Sequence, residues 1–77
     1  MIFQPLPLTG AFIIDLEKLE DKRGFFSRSF CKKEFLTHGL ATQWAQMNNT
    51  FSHQKGTLRG LHFQRSPMTE VKLVRCL

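Results

Sequence analysis

Short apolar runs separated by turn-forming residues make up most of the chain, and their spacing of roughly eight to twelve residues is the rhythm of an all-β domain. Ala11 to Asp15 (AFIID) follows the turn-prone pair Thr9-Gly10 and reads as a strand. The charged stretch LEKLEDKRG then reads as a loop ending at Gly24, and Gly24 to Phe30 (GFFSRSF) as a second strand. Lys32 to His38 is the one helix-like segment, with Phe35 and Leu36 as its apolar contacts and Gly39 where a left-handed C-terminal cap belongs. From Trp44 to Thr50 the pattern alternates, so that Trp44, Gln46 and Asn48 share one face and Ala45, Met47 and Asn49 the other. Ser52 to Gly56 reads as a turn, Thr57 to Gln64 as a strand, Arg65 to Thr69 as a loop around Pro67, and Glu70 to Leu77 as a final strand. That strand ends on an apolar residue with no turn or partner behind it, so residues 1–77 read as a single domain left incomplete at its C-terminal side, with an open sheet edge.

Length and composition narrow the picture. A chain of 77 residues is at most one small domain, and domains of this size bury only about 60% of their unfolded surface. Two cysteines, Cys31 and Cys76, form no CxxC pair and are expected to be free thiols in a reducing cytoplasm. The first ten residues lack a charged leader region and are broken by Pro5 and Pro7, and no apolar run has the length of a membrane span. A soluble, cytoplasmic protein with no membrane partner is therefore expected. The formal charge of +5 invites a nucleic-acid reading, but the basic residues are dispersed and most have acidic neighbours. A small, doubly anionic ligand suits the charge equally well, and nucleic acid is not expected as a partner.

Candidate chemistry gathers on His62, Lys72, Arg59, Arg23, Gln46 and Asn48, whose groups suit an anionic, oxygen-rich ligand. Each has a plainer reading: a strand histidine is usually a hydrogen-bonded structural residue, an arginine beside a glycine is usually solvated, and strand amides usually bond across strands. Gly56, five residues, then His62, Phe63 and Gln64, with Glu70 following, is close to the cupin pattern of a His-x-His pair and a glutamate around a metal. Gln64 stands in the second histidine's place and Glu70 is too far along, so no metal and no other cofactor is expected.

Four motifs, DKRGFF (Asp21 to Phe26), AQMNN (with Gln46 and Asn48), LRGLHFQ (Leu58 to Gln64) and VKLVRC (Val71 to Cys76), occur in the order in which the dTDP-4-dehydrorhamnose 3,5-epimerase family carries them. The chain resembles the N-terminal part of that family, less than half of a member. The resemblance implies a mainly β fold, the N-terminal part of a metal-free, cupin-type double-stranded β-helix or jelly roll. It also implies the activity: proton removal at C3 and C5 of a dTDP-linked 4-keto-6-deoxyhexose, beside the C4 ketone, and return to the opposite face, as in dTDP-L-rhamnose and polysaccharide biosynthesis. On this resemblance His62 is the base, since imidazole can be neutral near pH 7, and Lys72 stabilises the oxyanion at O4. Arg23 and Arg59 contact the pyrophosphate or sugar, and Gln46 and Asn48 the nucleotide or hexose. Arg28 and Met47 are weaker substrate-contact positions: the family has a glutamate where Arg28 stands, a reversal of charge.

Strict alternation would put Arg59 and His62 on opposite faces of one strand, which a bulge at Gly60 or a contact from a neighbouring subunit would reconcile. The family's general acid is a tyrosine and its histidine is oriented by an aspartate; the chain has no tyrosine, and neither Asp15 nor Asp21 is assigned to the orienting role. The 77 residues alone are therefore expected to be inert, and full-length members to be homodimers that exchange N-terminal strands. A 3,4-ketoisomerase, a monoepimerase and a non-enzymatic nucleotide-binding or interaction fragment are the alternative readings.

Overall fold

A computed structural model describes residues 1–77. It is mainly β: four strands, β1 (Ile2–Pro5), β2 (Phe12–Asp15), β3 (Lys18–Asp21) and β4 (Gly24–Ser27), are followed by one helix, α1 (Lys32–Thr37). The strands form two antiparallel hairpins, β1 with β2 and β3 with β4. The chain divides into two compact units, Met1–Trp44 and Ala45–Leu77, and every strand and the helix belong to the first. No helix is long and apolar enough to cross a membrane.

In the first hairpin Phe3 pairs with Ile14 and Pro5 with Phe12, so the period of two places Phe3, Phe12 and Ile14 on one half-buried face. Ile2, Gln4, Ile13 and Asp15 take the exposed face, where the Gln4 amide donates to the Asp15 carboxylate. The connection closes through Leu6 N–H to the Ala11 carbonyl (2.9 Å) and Ala11 N–H to the Leu8 carbonyl (3.0 Å). No strand is expected from the sequence around Pro5, yet β1 forms, because a proline at the end of an edge strand removes no needed ladder donor.

The second hairpin corrects the reading of LEKLEDKRG as a loop. Its residues 18–21 are β3, and Lys22-Arg23 is a two-residue turn between Asp21 and Gly24. The Asp21 carboxylate accepts the Arg23 backbone N–H at 2.8 Å, the local bond by which aspartate starts a turn. Charged residues do not oppose a strand whose faces are both in water. Leu19 pairs with Phe26, and both are exposed; on the other face the Lys18 ammonium lies 4.6 Å from the centre of the exposed Phe25 ring.

Helix α1 ends as its sequence predicts. Gly39 has φ +68°, Leu40 N–H donates to the Phe35 carbonyl at 2.9 Å and Gly39 N–H to the Leu36 carbonyl at 3.0 Å, the paired bonds of a Schellman cap. Phe35 is the one buried hydrophobic side chain, at 1% exposure. Its ring meets Phe30 and Phe3 edge-on at centroid distances of 4.8 and 5.7 Å, and Phe3 in turn stacks on His38 at 3.9 Å. Phe12 closes the group, 6.4 Å from Phe3 and 6.0 Å from His38. The expectation that Leu36 would share this contact fails, since Leu36 is exposed. Successive helical residues point about 100° apart, and one short helix on one hairpin face buries only one of them.

An ionic contact reinforces the same junction. The Met1 ammonium lies 2.6 Å from Glu17 and 3.3 Å from Glu34, and Arg28 approaches Glu34 at 3.9 Å. The hydrogen bond to Glu17 raises the ammonium's pKa above its ordinary 8.0, against some desolvation. At Glu34 desolvation pushes the carboxyl up, but bonds from the ammonium and Cys31 and the nearby positive charges outweigh it, leaving the pKa below 4.5.

The second unit contains turns at residues 53–56 and 66–68 but no helix or strand. Thr57 caps the first turn, its hydroxyl donating to the Gln54 carbonyl at 2.8 Å, and Met68 N–H closes the second on Arg65 at 2.9 Å. The strands expected at Trp44 to Thr50, Thr57 to Gln64 and Glu70 to Leu77 are absent from the 77 residues. Alternation gives a segment two faces but no ladder partner, and these three segments do not pair with one another.

Two measurements check this account. Phe35→Ala is expected to cost about 3–5 kcal/mol and abolish near-ultraviolet dichroism, whereas Leu19→Ala at an exposed site stays within about 0.5 kcal/mol. Denaturant melts across pH should find the Met1–Glu17–Glu34 contribution complete between pH 4.5 and 8.0. The lowered Glu34 pKa makes it fall as acid protonates that carboxylate, and the raised ammonium pKa makes it fall in alkali; acetylating the α-amine should remove the alkaline limb.

Candidate functional site

The first unit carries two of the candidate residues. Arg23 sits in the β3–β4 turn and is folded back onto Asp21, with Nη2 2.6 Å from Oδ2 and Nε 3.3 Å from both carboxylate oxygens. The Arg23 side-chain bonds, followed by its backbone N–H, hold the Asp21 carboxyl below its ordinary pKa of 3.8, and the same bonds raise that of Arg23. Arg28 follows β4 and approaches Glu34. Both guanidiniums are largely exposed, so an anionic ligand reaching Arg23 competes with a carboxylate already in place.

The other six candidates lie in the second unit. Gln46, Met47 and Asn48 are exposed, Met47 at 94%. Arg59 reaches back across the 53–56 turn, donating from Nε to the Ser52 hydroxyl and from Nη2 to the Phe51 carbonyl, both at 2.9 Å. Lys72 donates from Nζ to the His62 backbone carbonyl at 3.0 Å and pairs with Glu70 at 3.0 Å. The base and cation assigned by sequence are thus brought together across ten positions, through the main chain of His62 rather than its ring. Gly60 takes φ +133°, and because no strand forms here the alternation expected to separate Arg59 from His62 does not apply.

Three partner residues escape the sequence reading. Asp21 carried a signal, an aspartate two residues before a turn N–H. Glu70, weighed there only as a remote metal ligand, is the counter-ion of Lys72. Ser52 is visible only once the turn folds back. No group of three or more His, Cys, Asp or Glu side chains is placed to hold a metal. A shallow depression on α1, lined by Lys32, Lys33, Leu36 and Thr37, contains none of the candidate residues.

Residues 5–77 match the sequence model of a family of dTDP-sugar isomerases, and the chain belongs to that family. The family is described as dTDP-4-dehydrorhamnose 3,5-epimerase. Proteins of that name are similar to this chain in Sinorhizobium fredii (42% identity over 76 residues, 99% of this chain and 39% of the relative), Methanothermobacter thermautotrophicus (43% over 70, 91% and 37%) and Shigella flexneri (47% over 71, 91% and 39%). The chain spans about two fifths of the length of these curated relatives. No solved structure matches.

The Arg23–Asp21 clamp is testable by carboxyl NMR. Asp21 is expected to titrate below 3.8 in the native chain and to return toward 3.8 in Arg23→Ala. The depressed pKa means that the clamp supports the hairpin above that pH and ceases to as the pH falls through the folded-state value.

Proposed function

We propose that this chain is the N-terminal portion of a single cupin-type domain of a sugar-nucleotide isomerase. The whole enzyme inverts C3 and C5 of dTDP-4-keto-6-deoxyglucose, in the cytoplasm and as a homodimer. The observation that carries this reading is the family match over residues 5–77, which includes His62 and Lys72 and the arginine and amide positions in order.

The C4 ketone acidifies the protons on C3 and C5. The His62 ring takes such a proton, and the electron pair moves toward O4, where Lys72 meets the developing enolate charge. Loss of one such donor from a preorganised, water-excluded site costs about 3–4 kcal/mol of transition-state stabilisation. The 3.0 Å contact from Lys72 to the His62 carbonyl supports their acting as a pair. Arg23 and Arg59 bind the pyrophosphate or the sugar, Gln46 and Asn48 the nucleoside or hexose through their amides, and Arg28 and Met47 border them.

The 77 residues by themselves are catalytically inert and act at most as a weak nucleotide binder. His62 is exposed, so water screens any charge that Lys72 could stabilise. The chain also has no tyrosine to return a proton.

Incubating the chain with dTDP-4-keto-6-deoxyglucose in deuterium oxide and following C3 and C5 by NMR tests this. No exchange above background is expected from the chain or from His62→Ala, with dTDP binding that weakens as salt rises. Exchange that His62→Ala abolishes would refute inertness; absence of any dTDP binding would refute the ligand contacts in this chain.

A further inference from the structure

Ser52 is the only half-buried residue of the second unit. Its hydroxyl accepts the Nε–H of Arg59 at 2.9 Å, while the adjacent Phe51 carbonyl accepts an Nη2–H of the same guanidinium at 2.9 Å. A guanidinium carries five N–H donors in a rigid plane. Nε and Nη2 form its side edge, and here the protein itself occupies that edge. Three N–H groups remain, and of these one on Nη1 and one on Nη2 form the end edge, arranged to meet two oxygens of one phosphate. The turn beneath is fixed independently, because Thr57 donates to the Gln54 carbonyl through both its hydroxyl (2.8 Å) and its backbone N–H (3.4 Å).

We propose that Ser52 is a positioning residue: with the Phe51 carbonyl it holds the side edge of the Arg59 guanidinium and thereby aims the end edge at a substrate phosphate. This rests on the reading of Arg59 as a pyrophosphate contact. An exposed arginine free to sample its rotamers loses that freedom on binding, whereas one already held at two donors loses less. The serine therefore contributes to affinity without touching the ligand. Threonine, which keeps the hydroxyl, can replace it; alanine cannot.

The test uses the 77-residue chain, with dTDP and inorganic pyrophosphate as probes, and two readouts. The first is the Arg59 Nε–H NMR resonance, expected to be resolved and slow to exchange in the native chain and in Ser52→Thr, and lost to solvent exchange in Ser52→Ala. The second is affinity: Ser52→Ala is expected to weaken binding about three- to tenfold, Ser52→Thr to restore it, and Ser52→Ala to add nothing in an Arg59→Lys background. An unchanged Nε–H signal in Ser52→Ala, or an equal loss of affinity with Arg59 replaced, overturns the proposal. If Arg59→Lys leaves dTDP binding intact, the contact assigned to Arg59 is wrong and the proposal falls with it. That failure is distinguishable because the Nε–H signal would still depend on Ser52.

Discussion

The order of the first unit depends on one ring finding its place. Phe35 enters an aromatic group made by the first hairpin (Phe3 and Phe12), the segment before the helix (Phe30) and the helix end (His38). Burying a phenylalanine contributes about 1.5–3 kcal/mol, and each edge-on ring pair adds about 0.5–1.5 kcal/mol. A six-residue helix with no side-chain cap at Cys31 is too short to persist alone. It persists because the Schellman turn at Gly39 ends it and Phe35 anchors it. The Met1–Glu17–Glu34 contacts then bind the start of the chain, the residues after β2 and the helix at the same junction.

Within each unit, several cations are satisfied locally. Arg23 is folded onto Asp21, Arg28 faces Glu34, Lys72 meets Glu70, and Arg59 spends two donors on Ser52 and Phe51. These exposed pairs contribute little to stability. They matter for placement, since each sets where a long side chain rests and which of its donors remain. Arg59 differs from the others in that its partners carry no charge, so they orient the guanidinium without neutralising it.

Legibility from sequence followed the range of the interaction responsible. The Gly39 cap was readable because a Schellman turn involves six consecutive residues, and the apolar centres of β2 and β4 were readable from their short runs. Strand β3 is hidden by charge, because KLED on its own residues reads as loop and becomes a strand only through the GFFS partner two residues beyond its end. The opposite error befell 45–77, where clear alternation suggested strands that no neighbour in these residues pairs. The family was legible in its four ordered motifs, as the match over residues 5–77 bears out. The hydrogen-bond partners of the candidate residues were not, because a link such as Ser52 to Arg59 exists only after the intervening turn has reversed the chain.

The second hairpin has a consequence beyond the fold. With Leu19 and Phe26 uncovered on one face and Phe25 on the other, β3–β4 displays, among these 77 residues, the kind of apolar surface that chaperones bind. Lys18 and Glu20, interleaved with those residues, act as gatekeepers against ribbon-to-ribbon stacking.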